Sequence, residues 1–182
     1  MGRASFSTSL GLASVLLGSP AFATENIVFV SGAFRRTIFV KDLEDFVKTG
    51  VPQGLLADLI KFSKQSPKTV QGLLKTELPL PVVLTSRLLN TRIGEAILAR
   101  ATAIVHPLRA PKAGIPALRS ALVLGVADGS GKLSPLSFLK AYPAEDMAVD
   151  IPQLLVLVKK ASSITDLVRF FSDAPLDGLR GS

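Results

Sequence analysis

The chain carries one histidine, His106, and no cysteine. Those two facts limit its chemistry before any fold is considered. Thiol catalysis, thiolate metal sites and disulfides are excluded within this chain. Histidine catalysis needs a positioned nucleophile and an orienting acid. His106 stands just before Pro107, at the end of an expected helix, where an imidazole meets carbonyls that lack helical partners. No serine sits in a G-x-S-x-G elbow. His106 therefore reads as a capping or surface residue, and no catalytic residue is assigned. A metal held by one histidine would need a carboxylate cluster, and none stands at ligand spacing. No cofactor or metal site is assigned either.

The stretch Asp128-Gly129-Ser130-Gly131-Lys132 imitates two ligand loops. A phosphate loop needs an earlier glycine where Val126 stands and a hydroxyl where Leu133 stands. A calcium loop needs oxygen ligands where Lys132 and Leu139 stand. The stretch reads as a turn. The adjacent pairs Glu44-Asp45 and Glu145-Asp146 point in different directions and read as solvated surface.

The bases are more informative. Arg92, Arg100 and Arg119 fall in the most apolar helical stretches, so each must reach water or find an acid. Glu95 and Asp128 are the acids in range. These arginines are candidates for structural bridges or for a site that takes an anionic head group. Arg109 and Lys112 lie in a loop between Pro107 and Gly114, expected to be exposed and mobile. They are the candidate contact with an anion or a membrane surface. The net charge is +7, but the bases are spread along the chain. One tyrosine and no tryptophan leave little for base stacking, which argues against a nucleic-acid partner. A mean hydropathy of +0.43 leaves room for an apolar ligand, a protein partner or a membrane surface.

The elements that must position these residues are mostly short helices. Gly114 to Ala127, GIPALRSALVLGVA, has almost no polar face and reads as a central core helix with Pro116 in its first turn. It is too short to span a bilayer, which takes about 20 apolar residues. Ahead of it, Ile27 to Val30 and Thr37 to Val40 flank Ser31-Gly32-Ala33 and read as a hairpin. Helices are expected over Asp42 to Lys48, Pro52 to Ser63, from Ser66-Pro67 onward, over Val82 to Leu89 and over Thr91 to His106. Leu78 to Pro81 reads as a stiff connector. After the glycine turn, Ser134-Pro135 opens another helix, and Pro152 to Phe171 is the last. Met147 to Ile151 alternates weakly and is a candidate short third strand. The fold class is mainly α: a compact array of about seven short helices with an N-terminal β-hairpin.

The N-terminus follows a different logic. Arg3, an apolar run from Leu10 to Leu17 and the small residues Ala21-Phe22-Ala23 form a secretory signal pattern. The expected organisation is a signal peptide over 1–23, a helical domain over 24–172 and a polar tail over 173–182. Cleavage after Ala23 would place the domain in an exported compartment.

NTRIGEAIL at Asn90 to Leu98, ALRSAL at Ala117 to Leu122 and KDLEDFVKTG at Lys41 to Gly50, behind a signal peptide and hairpin, carry a resemblance. The chain resembles a cyanobacterial domain family of unknown function that precedes, in longer members, an alpha/beta-hydrolase domain. The resemblance covers about Asn26 to Phe171 and rests on helix-packing patterns. It implies export to the periplasm or thylakoid lumen and an association with lipase- or esterase-like catalysis. No hydrolase domain follows in this sequence, so no catalytic residue is carried over. The expectation is a binding or interaction module for an unknown protein or an apolar or anionic ligand, with peripheral membrane contact a further candidate. The alternative is a lid or regulatory accessory to an alpha/beta hydrolase, or a hydrolase in its own right.

Overall fold

A computed structural model describes residues 23–160. The expected leader apart from Ala23, the last helix past Lys160 and the polar tail lie outside the described residues.

The hairpin forms as the sequence predicts. β1 (Asn26–Ser31) pairs antiparallel with β2 (Phe34–Phe39), with Ser31 opposite Phe34, so Gly32 and Ala33 alone make the turn. Gly32 has φ 59°. A positive φ at the first central position suits a II′ hairpin turn, and glycine adopts it without a Cβ clash.

The helices follow their caps. α1 (Val40–Thr49) buries Val40, Leu43 and Phe46 along one stripe. Gly50 stops it at φ 74°, its N–H donating to the Phe46 carbonyl at 2.8 Å. α2 (Gly54–Phe62) follows. The Ser66 hydroxyl accepts from the Thr69 N–H at 3.0 Å and opens α3 (Pro67–Lys75). α4 (Val82–Leu89) leads into α5 (Arg92–Thr102), where Thr91 caps the Gly94 N–H at 3.0 Å. The turn Pro111–Ala113 precedes α6 (Gly114–Asp128). Ser134 and Ser137 cap each other reciprocally at the start of α7 (Pro135–Ala141), and α8 (Ile151–Lys160) ends the described chain.

Several expectations change. The candidate third strand is an internal one. β6 (Asp146–Asp150) lies parallel to β1, with Asn26 opposite Asp146, and antiparallel to β4 (Val105–Pro107). The sheet order is β2-β1-β6-β4. Met147, Ala148 and Val149 are all buried. A strand covered on both faces loses its polar alternation, which is why the signal was weak. The helix expected to reach His106 stops at Thr102. His106 sits in β4 opposite Ala148; the residue before a proline is biased toward extended backbone. Leu78 to Pro81 is more than a connector: β3 (Leu78–Pro79) pairs antiparallel with β5 (Lys132–Leu133). Lys132 reaches Glu77 across that pair at 2.9 Å. In the glycine turn the left-handed residues are Ser130 and Gly131, not Gly129.

α6 is central but one-sided. It packs on α4, α5, α7 and β4 and buries Ala117, Leu118, Ala121 and Val126, while Leu124 faces solvent. Leu59, Leu73, Ile93 and Leu155, whose helical spacing suits an inward apolar stripe, are also exposed. The core closes on Phe46, Leu98, Val126 and Tyr142, the largest fully buried side chains.

Tyr142 is the chain's one tyrosine. Its ring packs 5.8 Å from that of Phe138, and its hydroxyl finds no hydrogen-bond partner among the described residues. Burial pushes the phenol above its usual pKa. Tyr142→Phe is therefore expected to raise stability by about 1 kcal/mol, read from the denaturation midpoint. The unfolded phenol ionises near ~10 and the folded one later, so stability present below pH ~10 falls as pH rises past it. Phenolate absorbance should appear only above the usual range, or together with unfolding. Ordinary titration in a folded chain would place the hydroxyl in water.

Candidate functional site

A cleft of about 340 Å³ opens where β4 ends, β6 begins and α6 starts. Pro107, Ala113, Pro116, Pro143 and Ala144 give it apolar walls, and Arg109, Glu145 and Asp146 bring charge to it. Proline recurs here for a local reason. Pro107 closes a strand, Pro116 occupies a first turn and Pro143 follows a helix, positions where a missing N–H is tolerated.

Asp146 holds the cleft together. One carboxylate oxygen accepts from the Asn26 amide nitrogen at 2.8 Å. The other meets Arg109 Nη2 at 3.2 Å. Its backbone carbonyl accepts from the Leu108 N–H at 3.0 Å. Asp146 is only 14% exposed, whereas Arg109 is 79% exposed. A half-buried carboxylate with two donors fixes one arm of a fork whose other donors remain at the cleft mouth. Such a fork can take a carboxylate or phosphate oxygen, and the apolar walls can take the body attached to it.

The loop expected to be mobile is thus tied down. The Leu108 N–H and the Arg109 side chain both anchor to Asp146, and residues 111–113 form a short helical turn. Arg109 lines the cleft; Lys112 lies on that turn, outside the lining residues. The remaining arginines are dispersed. Arg119 is half-buried, and its Nε donates to the Leu89 carbonyl at 3.1 Å, which caps the end of α4 from α6. Arg92 is exposed in the first turn of α5, and Arg100 is half-buried in its last turn.

His106 Nδ1 lies 3.2 Å from the Thr102 carbonyl oxygen. Glu44 pairs with Lys140 at 2.8 Å and joins α1 to α7. A larger depression of about 590 Å³ lies beside that pair, where Thr24 and Glu25 lead into β1. Its charged rim is mixed in sign, and two of its charges already neutralise each other. Among the described residues no group of three or more His, Asp or Glu could hold a metal ion.

Sequence reasoning singled out Arg109 and read Asp146, its partner in the cleft, as solvated surface. Reading Glu145-Asp146 as one solvated pair ignored the strand that begins there. Strand alternation sends neighbours to opposite faces, and Asp146 is drawn inward beside Asn26.

A family model described as alpha/beta hydrolase of unknown function (DUF1400) matches residues 23–150. No curated protein matches the chain. No solved structure matches it either.

Proposed function

The chain belongs to the DUF1400 family, described as alpha/beta hydrolase of unknown function, and we propose that it is an exported, non-catalytic binding module. Its ligand is an amphipathic anion, a carboxylate or phosphate on a small apolar body, held in the Arg109 cleft.

One observation carries the non-catalytic reading. Any histidine triad within this chain must use His106, its one histidine. A triad histidine offers Nδ1 to a carboxylate and Nε2 to the nucleophile. Here Nδ1 faces the Thr102 carbonyl, within hydrogen-bond distance. The Arg109–Asp146 pair supports anion binding, because the carboxylate that neutralises the guanidinium also aims it. Export is supported by the leader pattern and by Thr24. That residue is buried, its hydroxyl donating to the Ala144 carbonyl at 2.7 Å. The fold therefore grips the chain just past the expected cleavage after Ala23.

The family description is loosely consistent with a second reading, in which the module is an accessory or lid for a separate alpha/beta hydrolase, or a hydrolase in its own right. A domain order with this domain ahead of a hydrolase, which the sequence resemblance implies, belongs to that reading, as does a cyanobacterial periplasm or thylakoid lumen.

Calorimetric titration with octanoate tests the first reading. Saturable binding is expected, weakened at least about tenfold by Arg109→Ala, the scale of a lost charged hydrogen bond. Octanol and octylamine should bind more weakly than octanoate. Equal binding of all three, or none, would reject the anion site. Ester turnover that disappears with His106→Ala in a folded chain would reject the non-catalytic reading.

A further inference from the structure

The solvent face of α4 is apolar. Val83, Leu84 and Leu88 are 63%, 61% and 50% exposed. Helical spacing sets positions 83, 84, 87 and 88 on one side, with Arg87 exposed among the three apolar residues. Leu89 turns the other way into the core. The surface continues onto α5. The Gly94 backbone lies so close to the Leu88 carbonyl and Leu89 Cα that a Cβ would overlap them. This contact brings the first turn of α5 against the end of α4, and that turn carries Ile93, 63% exposed, and the exposed Arg92.

Charge decides what covers this face. α4 contains no acid; Glu95, exposed in the first turn of α5, is the one acid beside this face and stands against two arginines, Arg87 and Arg92. Apolar side chains with guanidinium groups among them match the boundary between acyl chains and anionic head groups. A second copy docked about a two-fold axis through α4 would set Arg87 against its own counterpart, two like charges in a drying interface. We propose that α4 and the first turn of α5 form a face that docks on an anionic lipid surface. Among the described residues no helix is long and apolar enough to cross a membrane, so the helices lie in the interface. Val83, Leu84, Leu88 and Ile93 enter the acyl boundary. Arg87 and Arg92 pair with lipid phosphates. Of the two sequence-based candidates for this contact, Arg109 pairs with Asp146 beside the cleft and Lys112 lies on the turn beyond it; the lipid face is independent of both.

The absence of cysteine makes the test specific. Leu84→Cys and, as a control on the exposed end of α2, Phe62→Cys are made in the full chain and labelled with a polarity-sensitive dye. Each is mixed with vesicles of phosphatidylcholine, with or without phosphatidylglycerol. The label at 84 should brighten and shift to the blue on anionic vesicles, while the label at 62 stays unchanged. Arg87→Glu in the Leu84→Cys background, with helicity checked by circular dichroism, should weaken partitioning about tenfold or more, since each unit of charge near an anionic surface counts for about fivefold and the substitution changes two. Insertion through the leader would tether both labels alike. Equal responses at 62 and 84, no response at 84, or an equal response on neutral vesicles would overturn the proposal. So would a shift at 84 without lipid that grows with protein concentration, which would assign the face to a second copy.

Discussion

Gly94→Ala is expected to cost about 3 kcal/mol or more, while Gly72→Ala is expected to stabilise by about 0.5–1 kcal/mol. Both glycines are helical, in α5 and α3. A Cβ on Gly94 would overlap the Leu88 carbonyl oxygen and come within 2.7 Å of Leu89 Cα. Both obstacles are backbone, so no rotamer change relieves them. α4 and α5 would have to separate, and both pack on α6. A Cβ on Gly72 meets nothing within 4 Å, which leaves the entropic gain of replacing glycine in a helix. Far-UV circular dichroism through a denaturant titration reads both, since the chain has no tryptophan. The same substitution thus carries opposite signs at two sites. Midpoint shifts of one sign and similar size would remove the close α4–α5 crossing.

Those two glycines look alike in sequence, RIGEA and VQGLL, and that marks where sequence reasoning ends here. Local chemistry was legible. Ser66-Pro67, Thr91 and Ser134-Pro135 announced helix starts, and each side chain accepts the hydrogen bond expected of it. Gly50 and the hairpin turn were legible for the same reason, because their signals lie within a few residues. What depends on a distant partner was not. β4 and β6 exist because residues 105–107 meet 147–149 across some forty positions. The end of α5 is set by that pairing as much as by Pro107. Leu73 and Ile93 have the spacing of buried residues, but no element among the described residues covers them. Periodicity reports which side of a helix is apolar, not how much of it the core can hold.

The cleft divides in the same way. Arg109 was visible as a base in a proline-bounded loop. Its anchor, Asp146, needed the β1–β6 register, since Asn26 and Asp146 are 120 residues apart in sequence. Arg119 was picked out as a charge in an apolar helix, and the structure gives it the Leu89 carbonyl at the end of α4. No acid was required; helix ends offer partial negative charge of their own.

Leu118→Asp is expected to unfold the chain, and Leu124→Asp to be tolerated. The two stand six residues apart on α6, about 120° around the helix, which places them on different sides. Leu118 is 4% exposed and Leu124 is 47% exposed. At Leu118 a carboxylate loses its water inside a cluster that is apolar apart from the Tyr142 hydroxyl. That costs several kcal/mol, comparable with a total stability of about 5–15 kcal/mol. Leu118→Ala separates packing from charge. It leaves a cavity instead of a buried anion and should cost about 2–5 kcal/mol, within what the fold survives. At Leu124 the carboxylate stays hydrated, and the change should lie within about 0.5 kcal/mol. The pair therefore tests whether α6 is buried all round, as its composition suggests, or on one side. Loss of cooperative unfolding in both aspartate variants would make α6 a fully enclosed helix. Retention in both would lift it out of the core, and with it the packing that places α4, α5 and α7.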